Sequence, residues 1–382
     1  MLIPSPRDSM TIAYMPFIFL LLLLLFISVI FGGNYLVYYT VIKFFDIVDG
    51  QTKTILLSIT IALSFSLLIS MTLAHFSNLA IVRWFYIAVS TWHGFLVNFF
   101  LASLSCWLIF VITKYANVNL NFKILLASLF AIAVAISTYG IWNAQHPQLK
   151  NITVSIANLP QQWQNEKIIF ISDIHLGAVN KAPFIKKIVE QINTVNPEMV
   201  LIGGDYFDGS LSEYNSLTDP LKNIKSKFGT YFVNGNHESY IGEQGADQAL
   251  QSASVKILKD EIINVDGLNI VGADFTNDFG NKQSVEELLK KVNAEEANIF
   301  IHHEPRYTDL AKASGIDLQL AGHTHYGQQF PFQFFTWLVY KKYHNGLHTE
   351  GNYTSYTSNG AGTWGPPIRI NNTPEIVVIT LN

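Results

Sequence analysis

Apolar residues fill the first third of the chain almost without interruption and return in short, spaced runs through the rest. Four stretches, 11–32, 55–74, 84–112 and 123–142, are separated by brief polar connections. Each is long enough to cross about 30 Å of hydrocarbon as a helix. Beyond residue 145 the pattern changes to short, mostly apolar runs: IIFIS before Asp173, MVLIGG before Asp205, TYFVN before Gly235, NIFIH before His303 and LQLA before Gly322. Runs of that length bounded by Gly, Asp and Asn read as buried strands. Helical patterns fall between them at 182–195, near 216–227 and at 284–293. Strands alternating with helices predict α/β layering. The chain therefore divides into an all-α transmembrane region of about four helices (1–145), a connector (146–165) and a second domain (166–382).

Charge sharpens the division. Residues 1–145 hold six Lys and Arg against three Asp, a net of +3, and the 18 basic and 25 acidic residues that follow give −7. So acidic a domain repels a phosphate backbone, which argues against nucleic acid as a partner. Basic residues flanking the four stretches divide nearly evenly between the two sides, so they do not orient the chain across a cell membrane. The single cysteine, Cys106, lies in an apolar stretch and reads as a small buried hydrophobe.

The strand-like runs are punctuated by chemistry. Asp173-Ile-His175, Gly204-Asp205-Tyr-Phe-Asp208, Gly235-Asn236-His237-Glu238, His303-Glu-Pro and Gly322-His323-Thr-His325 each end or follow one. Ligands at neighbouring strand ends can converge. The set offers oxygen and imidazole donors and no thiolate, which suits Mn, Fe or Zn ions in an open site. A pair of such ions can activate water and neutralise phosphoryl oxygens, the usual means of cleaving a phosphate ester.

These five motifs, in this order, resemble those of the calcineurin-like metallophosphoesterases. The closing segment YTSNGAGTWGPPIRINNTPEIVVITL at 356–381 is similar to the signature of their membrane-associated bacterial branch. The resemblance implies a four-layer α/β sandwich of two mixed β-sheets and two divalent metal ions. Asp173, His175, Asp205 and His325 would hold one ion. The other would be held by Asn236, His303 and His323, with Asp205 as the bridge. His237 would be the general acid, oriented by Asp208. The implied activity is hydrolysis of a phosphodiester or pyrophosphate, with a lipid or lipid-linked substrate as the expected class. A phosphomonoesterase on soluble or protein substrates, and a membrane receptor with a nucleotide-sensing domain, are the alternatives.

One feature departs from the pattern. Tyr326 follows His325 where the family often has Gly, so a ring is expected to narrow or line the cleft. The segment 326–348 carries Phe330, Phe332, Phe334, Phe335, Trp337, Tyr340 and Tyr343. Packing in the core is expected of these rings, with an apolar surface meeting lipid as the other possibility.

Overall fold

In a computed structural model the described residues are 24, 27–77, 79–209, 214–275 and 282–382. Among the described residues, four helices long and apolar enough to cross a membrane come first: α1 (Ile27–Phe44), α2 (Gly50–Phe76), α3 (Ala80–Tyr115) and α4 (Phe122–Ala144). The expected first stretch, 11–32, lies mostly outside the described residues. Its helix continues through Gly32 and Gly33 to Phe44, further than the apolar run alone suggested.

The chain divides into two compact units. One comprises the residues up to Thr72 with Val89–Ser137, the other Leu73–Ala88 with Thr138–Asn382. In the first unit, a small core of Phe44, Cys106 and Leu126 is sealed by Trp107, Phe110 and Phe122. Most other apolar side chains there, such as Ile55, Ile59, Phe65 and Leu108, face outward. Helices that are apolar on every side have lipid, rather than water, as their natural solvent.

The second unit carries two six-stranded mixed sheets. The first is built from β1 (Gln148–Val154), β2 (Lys167–Ile171), β3 (Met199–Ile202), β4 (Thr230–Phe232), β5 (Val255–Ile257) and the late strand β12 (Glu375–Leu381). Its order is β1-β12-β2-β3-β4-β5. β12 runs parallel to β1 and antiparallel to β2. Residues 148–154, inside the segment read as a connector, are thus an edge strand. The second sheet holds β6 (Glu261–Val265), β7 (Leu268–Gly272), β8 (Ala297–Ile301), β9 (Leu318–Ala321), β10 (Gly346–Glu350) and β11 (Tyr353–Thr357), in the order β10-β11-β9-β8-β7-β6.

Alternation along the strands builds the layers. Ile168 and Phe170 of β2 meet Ile299, Ile301, Leu318 and Leu320 of the second sheet in one core between the sheets. The intervening Ile169 and Ile171 face a helical layer made of α5 (Ala182–Val195), α6 (Tyr214–Thr218), α7 (Asn236–Ile241) and α8 (Glu243–Ser252). In that layer α5 contributes Ile185, Ile188 and Ile192, and α8 contributes Ala246 and Leu250. On the far side Val271 and Phe300 pack against Val285, Leu288 and Leu289 of α9 (Lys282–Leu289) and Ala311 of α10 (Thr308–Ala313). This is the expected four-layer α/β sandwich. β2, β3, β8 and β9 all end at the same edge of it, and there the chemistry gathers.

Candidate metal centre

Each chemical side chain sits where a strand has just ended and the backbone turns out of the sheet. Asp173, His175, Asp205, His323 and His325 all have positive φ, between 47° and 69°. Non-glycine residues hold that conformation only when the surroundings fix it, and such residues concentrate at functional sites. Here the ladder is carried beyond the strands by backbone bonds: the Asp173 and His175 N–H groups donate to Gly204 O and Asp205 O at 3.0 and 3.1 Å. Glycines make room. A Cβ on Gly322 would lie 2.2 Å from Asp173 Oδ2, and one on Gly235 the same distance from Asp205 Oδ1.

The expected site residues converge in two adjoining groups. In one, His175 Nε2 is 3.0 Å from His325 Nε2, which lies 3.4 Å from Asp173 Oδ1. In the other, Asn236 Oδ1 approaches His323 Nδ1 at 2.9 Å and His303 Nε2 at 3.2 Å. Asp205 Oδ2 stands between the groups, 3.2 Å from His303 Nε2 and 3.8 Å from His175 Nε2. His237 is beside them, with Nδ1 3.1 Å from Asp208 Oδ1 and Nε2 4.0 Å from Asp205 Oδ2. His302, next to His303, points elsewhere, to Glu304 O.

The donor set fits divalent cations. Burial pushes the imidazoles of His175 and His323 down to about 4 and about 3, and that of His325 well below its usual value. Neutral rings are what a metal requires. Burial also acts against a charged His303, yet the Asp205 carboxylate and its hydrogen bond lift that ring to about 10. Asp205, in turn, is held well below the carboxylate range despite its burial by His303, His175 and His237. The site thus retains a proton where positive charge is needed, and a divalent ion would displace it. His303 Nδ1 bonds Gly203 O at 2.8 Å and His323 Nε2 lies 3.3 Å from Glu304 Oε1. Those outer partners leave the opposite nitrogen of each ring facing the centre.

Three supporting residues were not anticipated. Glu238 is completely buried, and its carboxylate accepts four backbone N–H groups, those of Asp205, Tyr206, Phe207 and Gly235. It ties the loop after β3 to the loop after β4. Arg369 is buried too, with Nη2 2.9 Å from His325 Nδ1 and both Nε and Nη2 donating to Gly362 O. Glu304 flanks His323. The sequence offered a signal for each: Glu238 closes Gly-Asn-His-Glu, Glu304 follows His303, and Arg369 lies in the closing segment.

Comparison with known proteins agrees with this geometry. Residues 166–327 match the calcineurin-like phosphoesterase family. A Campylobacter jejuni metallophosphoesterase is 33% identical over 260 residues, covering 66% of this chain and 68% of that protein. The chain belongs to the calcineurin-like phosphoesterase family. A Helicobacter pylori metallophosphoesterase is 35% identical over 243 residues, 62% of this chain and 64% of the relative. A zebrafish (Danio rerio) transmembrane protein with metallophosphoesterase domain is 30% identical over 267 residues, 65% and 61% of the two chains. The chain therefore spans a little under two thirds of the length of these last two calcineurin-like relatives.

The Tyr326 departure also has a structural reading within the family. Its φ is 48°, so the backbone keeps the left-handed turn that a glycine adopts without cost. Its half-buried ring lies 5.3 Å from that of His344. Of the aromatic segment beyond it, Tyr343 packs against the core on the far side of the second sheet, as expected, but the rings of the helix within the segment and those just before that helix do not. The helix α11 (Gln333–Tyr340) has no buried residue. For the helix, core packing, the favoured expectation, is replaced by an exposed apolar surface, because the polar side of this helix faces the protein.

Proposed function

We propose that the protein is a membrane-associated, metal-dependent phosphoester hydrolase using two divalent ions. Asp173, His175, Asp205 and His325 would hold one ion, and Asp205, Asn236, His303 and His323 the other. The observation that carries this reading is the position of Asp205 Oδ2 between two groups of imidazole and oxygen donors. Mn, Fe and Zn all suit such a set. When bound, the ions would supply an activated water and positive charge opposite the phosphoryl oxygens.

The chain's own residues do the rest. Asp208 holds the Nδ1–H of His237, which leaves Nε2 directed toward the centre as a proton donor. Burial opposes the charged form of His237, yet the Asp208 hydrogen bond and the Asp205 carboxylate raise its pKa above the ordinary value. As the P–O bond breaks, Nε2 gives its proton to the departing oxygen. Glu238 keeps the Asp205 loop rigid meanwhile. The substrate class we favour is a phosphodiester or pyrophosphate of a lipid or lipid-linked molecule, supported by the four apolar helices. The same helices support a multi-pass position in the cell membrane.

The test is Asp205→Asn. A single amide oxygen is a poor bridge, so bound Mn is expected to fall from two equivalents toward one, with hydrolysis of bis-p-nitrophenyl phosphate lost. Two retained equivalents with full activity would overturn the assignment. Faster turnover of the monoester than of the diester would instead favour a phosphomonoesterase.

A further inference from the structure

A helix at the surface of a soluble domain buries its apolar stripe and presents its polar side to water. α11 does the reverse. Gln333, Thr336 and Tyr340, spaced as one helical face, are its half-buried positions. Thr336 Oγ1 is 3.1 Å from His344 Nδ1, and the Tyr340 hydroxyl donates to Glu304 Oε1 at 3.1 Å, its ring 6.1 Å from that of His323. The outward side carries Phe334, Phe335, Trp337 and Val339, between 45% and 62% exposed. Phe330 and Phe332 extend it on the N-terminal side. The rings form one continuous patch, with Phe334 stacked on Trp337 and Phe332 and Phe334 each against Phe335. Lys341 places its ammonium 5.4 Å over the Trp337 ring. No Asp or Glu occurs from 326 to 349.

What covers this patch is indicated by the contacts at its base. The Ile370 N–H donates to Gln328 O, and Gln328 Nε2 to Pro366 O. The neighbouring Arg369 N–H donates to Gly140 O, within the last turns of α4, a helix apolar enough to cross a membrane. Gly140 is pressed so closely that a Cβ there would lie 2.7 Å from Ile368. Arg83, near the start of α3, donates through Nε to Ala178 O at 2.7 Å, beside the Asp173–His175 loop. All these residues belong to the second compact unit. The unit that holds the metal centre therefore includes the ends of two apolar helices, and the loop that leads into the aromatic patch is bonded to the segment 366–370 that packs on one of those ends.

We propose that α11 is a bilayer-docking element: Phe334, Phe335 and Trp337 enter the boundary between headgroups and acyl chains, with Lys341 at the level of anionic headgroups. Aromatic rings with an adjacent lysine are the composition of an interfacial helix. Tyr340, on the opposite side of α11, reaches His323, so the same helix forms a wall of the centre. A lipid phosphoester could then reach the centre with its acyl chains still in the membrane. This last step rests on the hydrolase reading, whereas the docking itself does not.

The experiment uses the full chain in nanodiscs of phosphatidylcholine and phosphatidylglycerol. With Cys106→Ser as background, an environment-sensitive nitrobenzoxadiazole label is placed at Phe334→Cys, or at Lys290→Cys as an exposed control. At 334 the emission is expected to be blue-shifted and quenched by doxyl groups on the acyl chains, and at 290 neither. Water-like emission at 334 overturns docking. So does a blue shift without acyl-chain quenching, which would mean that a protein surface, such as a second copy, covers the patch.

A second arm compares bis-p-nitrophenyl phosphate in solution with hexadecyl p-nitrophenyl phosphate held in vesicles. Changing Phe334, Phe335 and Trp337 together to Ser is expected to lower the vesicle rate about tenfold or more, as anchoring rings are removed. Melting temperature and the rate on the soluble diester are expected to stay unchanged. Equal rates on both esters before and after the change would overturn delivery from the bilayer. If the unaltered protein cleaves neither ester while the label reports acyl chains, the hydrolase reading fails and the docking stands.

Discussion

His237 and Glu238 are adjacent in sequence and are assigned opposite tasks, one facing reactants and the other facing only backbone. His237→Ala is expected to leave bound metal unchanged and cut the rate by about 10²- to 10⁴-fold for alkyl esters, the range for a lost general acid. The loss should be smaller for p-nitrophenyl esters, whose leaving group departs without a proton. Equal losses across leaving groups would remove the proton-donor role. Glu238→Gln tests the other residue. An amide nitrogen would face N–H donors that now meet a carboxylate oxygen, a cost of about 1–3 kcal/mol in stability. Thermal melting should record it, with weaker metal retention because the Asp205 loop is no longer held. The ligand candidates could be read from the sequence because each belongs to a short motif following an apolar run. Glu238 and Arg369 could not be assigned roles there. Their partners, such as Asp205 and His325, lie more than thirty residues away along the chain and are brought near only by the fold.

At the scale of elements, the strands that carry ligands announced themselves by mostly apolar runs, since both faces of β2, β3, β8 and β9 are buried. β1 did not. Its burial pattern is mostly exposed until Ile152 and Val154, as befits an edge, so its sequence reads like a linker. A fragment beginning at residue 158 is accordingly expected to melt well below one beginning at 146. It lacks seven residue pairs with β12 and the buried Val154 and Ile156. Loss of even one such aliphatic side chain costs about 2–5 kcal/mol. Identical melting of the two fragments would show that β1 contributes nothing. The failure at α11 has a different cause. Aromatic density indicates burial without naming the medium, and lipid satisfies it as well as a protein core does.

For the whole molecule, two buried carboxylates, Asp173 and Asp205, share one small volume. Binding of cations to the folded state alone raises its stability by mass action. Chelation is therefore expected to lower the melting temperature of the second unit as well as abolish hydrolysis, with Mn restoring both. Unchanged melting would mean that the apo centre is already compensated by its own protons. The topology has a further consequence for how the protein is made. β12 is inserted between β1 and β2, yet it is the last strand in chain order. While a ribosome is still delivering the chain, both of its eventual neighbours wait with unpaired edges, and β2 leads directly to Asp173. Closure of the first sheet waits until the other strands of both sheets have been made, so the nascent protein passes through a stage in which its apolar strands are exposed and open to misassociation.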